Sequence, residues 1–412
     1  MKFLSFFIGI VLLNGTDPGG HVPRGPVPIP RAYAGPVRTP KRVQKKIFVH
    51  LMPWFETKDT NDPQGSWGIH WTMVNCHPDS IFSDGRRQIA SYYYPLTGPY
   101  ASGDSDLIEY QLLLMKYSGI DGVCIDWPGT TRLYDYPLLV RNTERIVSAL
   151  GKIGLRYAIV YEDQDINIAF RAGALKDRIA AARTDMAYLS AHCFSDTNYE
   201  RFQGHPLLLD FGPQTFYKED EWSDIFKGLP ETPAFFTLWD HESSAGKNAT
   251  GTFAWINADN LVSLRRFYGS ADAFIASAYP GFRAYYDRGG WGGPTFVIEA
   301  NGLSNFTATL DLALGSRADY VQLPTWNDYG EGTMIEPTRE FQYGFLTTLQ
   351  QRLGVPYTIA HLELVSRLYR LRKRYSGDGS VQRILDTASS DLASLNPEHA
   401  SAIISGLEKS AP

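Results

Sequence analysis

Asp328 and Glu331, three residues apart in the segment TWNDYGEGTMIEP, are the residues whose types and spacing could do hydrolytic chemistry. Cleavage of a glycosidic bond needs one carboxyl group to protonate the leaving oxygen and a second to act as base or nucleophile. Two like charges held close also push one pKa upward, which keeps the acid protonated at working pH. Spacing alone does not establish the pair, since most D-x-x-E turns are surface caps. Further acids and aromatics recur at the ends of apolar runs: Asp126-Trp127, Glu162-Asp163, Trp239-Asp240, Tyr279, Glu299 and Trp326-Asn327-Asp328. Such a set suits a pocket for a polyhydroxylated ligand, with carboxylates accepting hydroxyl hydrogen bonds and rings stacking on sugar faces.

The elements that must position these residues are eight short apolar runs, at 47–52, 122–126, 157–162, 206–211, 234–239, 273–277, 295–299 and 320–324. They are apolar on both faces, as strands covered on both sides must be. Helical patterns alternate with them, at 107–118, 142–153, 170–192 and 306–315. Strand alternating with helix implies parallel pairing, and eight such units imply closure into an α/β fold of the (β/α)₈ TIM barrel type. The acids then sit at the C-terminal ends of barrel strands, where this fold assembles active sites. An open doubly wound sheet is the rival, but no Gly-rich phosphate loop follows the first strand. The reading divides the chain into a signal peptide (1–15), a Pro/Gly-rich linker (16–44), the catalytic barrel (45–356) and a C-terminal helical extension packed on the barrel (357–412). The long, irregular segment 55–106 is a first βα loop on the active-site face.

Composition narrows the function. The 412 residues carry a formal net charge of −5, with no basic surplus to neutralise phosphates, so a nucleic-acid partner is excluded. Lys2 and the apolar run 3–13 form a signal-peptide pattern too short to span a bilayer, which predicts export to the periplasm or medium and no stable membrane span. Cys76, Cys124 and Cys193 have no metal-ligand spacing, and the nine His form no HxH or HExxH pattern. His50, in the first strand, is either a pocket hydrogen-bonder or a core histidine. No G-x-S-x-G elbow for a serine nucleophile occurs. No cofactor or metal is expected, and a monomer acting on an oligo- or polysaccharide is.

The phrases VHLMPWF (49–55), GIDGVCIDWPG (119–129), SAYPGFRAYYDRGGWGG (277–293) and VQLPTWNDYGEGTMIEPT (321–338) resemble glycoside hydrolase families 71 and 99. The resemblance covers roughly residues 45 to 355, and WNDYGEG is its most specific part. Family 71 cleaves α-1,3-glucan, and family 99 contains endo-acting α-mannosidases. The resemblance implies a (β/α)₈ hydrolase of α-glucan or α-mannan. It gives Glu331 the place of the general acid and Asp328 that of the base or assisting group. It implies substrate subsites lined by Asp126, Trp127, Glu162, Tyr279 and Trp326, with His50, Trp54, Asp163, Asp240, Glu299 and Asn327 as further candidates. Asp at 328 is family 71 in character, whereas GTMIEP is closer to the mannosidases, so sugar and linkage stay open. A non-catalytic glycan-binding protein on the same barrel is the alternative.

Overall fold

Apolar runs that must be covered on both faces find that cover in a closed barrel wrapped by helices. The computed structural model describes residues 36–294 and 296–409. Eight parallel strands form the barrel: β1 (Lys46–Leu51), β2 (Gly122–Trp127), β3 (Arg156–Tyr161), β4 (His205–Asp210), β5 (Ala234–Leu238), β6 (Ala249–Phe253), β7 (Phe274–Ser277) and β8 (Tyr320–Leu323). Each pairs with its neighbours in sequence, and β8 closes the ring on β1 with Val321 opposite Ile47. The outer layer comprises α1 (Ser105–Tyr117), α2 (Tyr136–Ile153), α3 (Asp163–Arg171), α4 (Arg178–Leu189), α5 (Glu219–Phe226), α6 (Leu261–Ser270), α7 (Ser304–Gly315) and α8 (Gly344–Leu353). Three more helices follow: α9 (Ile359–Arg374), α10 (Gly379–Ala393) and α11 (Pro397–Lys409).

Local chemistry sets several boundaries. Asp104 caps α1, its carboxylate accepting from the Asp106 and Leu107 amides. Gly154 ends α2 in the left-handed region at φ 81°, where a side chain would be strained. The C-terminal helices cover the outer face of α1 and α2 and are fastened by Arg372, which pairs with both Glu109 and Asp386. None of the described helices is long and apolar enough to cross a membrane.

The barrel departs from the sequence reading at one strand. The expected seventh strand at 295–299 is not part of the sheet. Within it Ile298 makes a single antiparallel bridge to Phe282, and Phe296 stacks on that ring at 4.4 Å. The strand actually used is β6, ATGTF, which the reading passed over because two threonines and a glycine break its apolar character. The glycine is required by close approach: a Cβ on Gly251 would lie 2.5 Å from the Ala273 carbonyl oxygen and 2.8 Å from the Phe236 ring. Glu299 therefore ends no strand, and Tyr279 follows the seventh strand rather than the sixth.

The signal segment lies outside the described residues. Residues 37–43, assigned to the linker, are fixed against the barrel by the pair of Arg38 with Asp121, by Thr39 donating to the Lys116 carbonyl, and by the Arg42 amide donating to Leu353. Cys76, Cys124 and Cys193 are buried free thiols.

Candidate active site

The segment after β8 is folded back on itself, and this places its two acids. The Thr325 amide donates to the Thr333 carbonyl and the Ile335 amide to Thr325, both at 3.0 Å, and the Thr325 and Thr333 hydroxyls meet at 3.0 Å. Thr325 Oγ1 accepts from the Asp328 amide at 2.8 Å, and Asp328 Oδ1 accepts from the Glu331 amide at 2.9 Å. One oxygen of Asp328 is thereby held by the Glu331 backbone. Asn327 fastens the loop to the first strand's end, accepting from the Met52 amide at 2.8 Å and donating to its carbonyl at 3.0 Å. On the other flank, the Arg283 and Tyr285 amides donate to the Glu331 and Gly330 carbonyls at 2.8 Å.

Asp126 and Glu162 approach the same place from β2 and the end of β3. Asp126 is opposite Val160 in register, so Glu162, two residues on, shares its inward face. The Glu162 carboxyl hydrogen-bonds Asp126 and is steadied by Gln164 Nε2 at 2.8 Å. Asp328 and Asp126 lie close enough to raise the Asp126 pKa, and both feel the ring of His70. His70 stacks on Trp54 at 4.4 Å with planes 6° apart and pairs with Asp135 at 3.3 Å. Tyr286 borders Asp328 and Glu331, and Asp165 accepts from the Tyr136 hydroxyl at 2.8 Å.

Burial dominates the electrostatics. It pushes Asp126 and Asp328 up to about 6, with neighbouring amides partly offsetting the rise at Asp328. Glu331 is raised well above the carboxylate range by burial and then by the charge of Asp328; Glu162 is raised likewise by burial and by Asp126. Glu162 and Glu331 are nevertheless partly exposed, whereas Asp126 and Asp328 are almost fully covered. The reachable member of each pair is therefore the one that keeps its proton.

The other residues singled out in the sequence divide by the pleat. Trp127 alternates outward from Asp126 and is 1 % exposed, stacked on Tyr188 of α4 at 5.6 Å. It lines the helix layer, not the pocket. Asp163 is also turned away, its carboxylate accepting from the Gln214, Thr215 and Phe216 amides to hold the loop after β4. Trp326 is fully covered beside Glu336, and Asn327 is spent on Met52, so both position the loop rather than face a ligand. Tyr279 is fully buried, and Asp240 and Glu299 are exposed in loops. His50 is a barrel-interior residue: Nε2 meets Gln322 Oε1 at 2.7 Å, Gln322 donates to the Ala254 carbonyl, and the ring stands edge-on to Trp255 at 4.8 Å. Burial pushes its pKa down to about 4, so it stays neutral.

His70, Tyr286, Asp165 and Gln322 are not among the residues that the sequence pattern singles out. Only Asp165 had a visible signal: it stands three residues after Glu162 at a helix start, a spacing that shares one face. His70 lies in the irregular insertion, with no motif to mark it. A groove of about 960 Å³ lies between α1, α2 and α10 and holds none of these acids.

Known proteins share the fold. No family model matches the chain. A glycoprotein endo-α-1,2-mannosidase-like protein of Danio rerio is 22% identical over 325 residues, 70% of either chain. The solved family 99 endo-α-mannosidase of Bacteroides thetaiotaomicron, in complex with bis-tris propane, superposes with a TM-score of 0.56 at 18% identity, covering 81% of this chain and 98% of that one. This chain has the fold of that enzyme. A further solved structure, described as a glycoside hydrolase-like protein, shares the fold with a TM-score of 0.54 at 12% identity, covering 79% of this chain and 97% of that one. The overall fold is thus shared with both solved structures.

The cluster has a consequence for stability. Asp126 and Asp328 titrate near 6, and Asp165 and Glu336 near 7, in the folded chain, whereas carboxyls of an unfolded chain titrate near 4. Between those limits the folded state binds more protons, so stability falls as pH rises. Thermal unfolding followed by circular dichroism is expected to give a higher Tm at pH 5 than at pH 7.5. A flat or opposite trend would show that these groups ionise freely in the fold.

Proposed function

We propose that this chain hydrolyses α-linked glycans, with α-mannosides as the first candidates and α-glucans as the second. The observation that carries the reading is the pairing of Glu331, reachable and protonated, with Asp328, covered and anchored by the Glu331 amide. The similar proteins named as endo-α-mannosidases support the sugar class.

In this reading Glu331 gives its proton to the glycosidic oxygen as the bond breaks. Asp328, once ionised, takes a proton from the attacking water or a sugar hydroxyl and offsets the positive charge that develops at the ring. Asp126 and Glu162, across the mouth, accept and donate to sugar hydroxyls, and Trp54 and Tyr286 offer ring faces. The apolar run at 3–13 would direct export, which N-terminal sequencing of the protein recovered outside the cell would check. The chain would act as a monomer.

Incubation with α-mannan and α-1,3-glucan oligosaccharides, with products read by mass and reducing-end release, tests the reading. Rate should climb with pH through about 6 as Asp328 ionises, and fall again as Glu331 loses its proton. Binding without any cleavage would leave a glycan-binding protein instead. A profile without the acid limb would remove Asp328 from its role.

A further inference from the structure

We propose that a pocket beside the candidate acid binds an oxyanion carried by the glycan, a sulfate, phosphate or carboxylate substituent, and so selects anionic α-glycans. This rests on the hydrolase reading for the glycan, but not for the anion itself. The pocket encloses about 190 Å³ between the first βα insertion and the loop after β7. Arg86, Arg87 and Arg288 line it together with Gln88 and Ser91, and no carboxylate does.

Among the described residues, Arg86 alone of the three is ion-paired, to Asp84 at 2.6 Å. Arg87 donates to the Pro78 carbonyl at 2.9 Å and lies 5.3 Å from the Trp67 ring centroid. Arg288 sits 5.7 Å from the Tyr92 ring and 5.8 Å from Tyr285. Arg283 covers the same Tyr92 ring at 4.4 Å, on the side toward Glu331. The rings hold the guanidinium groups in place without neutralising them. In a chain of net charge −5, Arg87 and Arg288, which have no ion-pair partner among the described residues, set up a local field that draws anions. Guanidinium forks fit the oxygens of sulfate, phosphate and carboxylate. The volume is below the roughly 300–1,000 Å³ of sites that enclose whole ligands, which suits a substituent rather than a sugar ring.

The pocket shares a wall with the catalytic loop. Tyr285, which lines it, donates its amide to the Gly330 carbonyl at 2.8 Å. Tyr93, also in the lining, abuts Gly332, where a Cβ would fall 3.0 Å from its ring. A substituent in the pocket would belong to a sugar unit bound next to Glu331.

Two titrations of the full-length protein test this. Inorganic sulfate and phosphate, added against sodium chloride at matched ionic strength, should give a saturable change in intrinsic fluorescence, and R87Q/R288Q should lack it. Sulfated α-mannan oligosaccharides should bind about tenfold tighter than the unsulfated ones, on the scale of one charge-assisted hydrogen bond, and R288Q should erase the difference. Arg288 is exposed, so its replacement leaves the fold intact. No saturation by either anion, or equal saturation in the double variant, overturns the site. Saturation by inorganic anions with equal binding of the charged and neutral glycans overturns the substituent claim, leaving a free-anion site. Both readouts are binding, so loss of the hydrolase reading would show separately, as absence of cleavage.

Discussion

Glu331→Gln is expected to lower kcat on an α-linked glycan by about 10²–10⁴-fold, the usual contribution of a positioned acid, while glycan binding persists. The amide keeps the shape of the side chain and can still donate to the glycosidic oxygen, but it cannot release a proton to the leaving group. The main-chain bonds that shape the loop, from the Glu331 amide to Asp328 Oδ1 and from the Arg283 amide to the Glu331 carbonyl, do not involve the side chain. Folding should therefore be unaffected. The variant side chain has no proton to lose, so any residual rate should lose its fall at high pH. Steady-state kinetics and calorimetric titration of the variant check both points. A variant that cleaves at the wild-type rate would move the acid to another residue, with Glu162 next in line.

The second large effect concerns the support behind that loop. Glu336 is almost fully buried and accepts from the Tyr100 hydroxyl at 2.8 Å, the Tyr329 hydroxyl at 2.9 Å and Gln111 Nε2 at 2.7 Å. Burial pushes its pKa up to about 7, while the three donors pull the other way. Glu336→Ala strands three donors and opens a cavity. The expected loss of stability is about 3–5 kcal/mol, in the range for breaking a buried polar network. Tyr329 belongs to the same turn as Asp328 and Glu331, so kcat should fall as well. Glu336→Gln keeps the volume and one acceptor oxygen, enough for the Tyr100 and Tyr329 hydroxyls that share Oε2, and should recover much of both. Urea unfolding midpoints of the two variants measure the effect. Equal midpoints for Ala and wild type would show that water replaces the carboxylate and that the network is not what holds the loop.

Legibility in the sequence followed chemistry type. Runs such as KIFVHL and GVCIDW are apolar on both faces, and only a sheet covered on both sides buries both, so seven of the eight strands could be read. ATGTF could not, because its apolar content is low and its glycine serves contact with Ala273 and Phe236, residues distant in the chain. TFVIE misled for the converse reason. Its residues satisfy strand propensity, but Phe296 stacks on Phe282 and Ile298 bridges to it, outside the barrel sheet.

What the sequence determined by itself is the inventory: two acids three residues apart after the last strand, Asp126 and Glu162 at earlier strand ends, and the local turn that ties Asp328 to Glu331. Turn chemistry and strand alternation act over a few residues, so they can be read there. The tertiary structure decided which strand-end residues face a ligand. Trp127 points to the helix layer, because neighbours on a strand face opposite sides of the sheet, and Asp163 is claimed by the amides of the loop after β4. It also brought His70 from an unpatterned insertion to Asp126 and Asp328. The pKa order within the cluster was decided there too, since desolvation depends on everything packed around a group and not on its place in the chain. The pair that first drew attention, Asp328 and Glu331, is therefore set by sequence in spacing and by the fold in protonation.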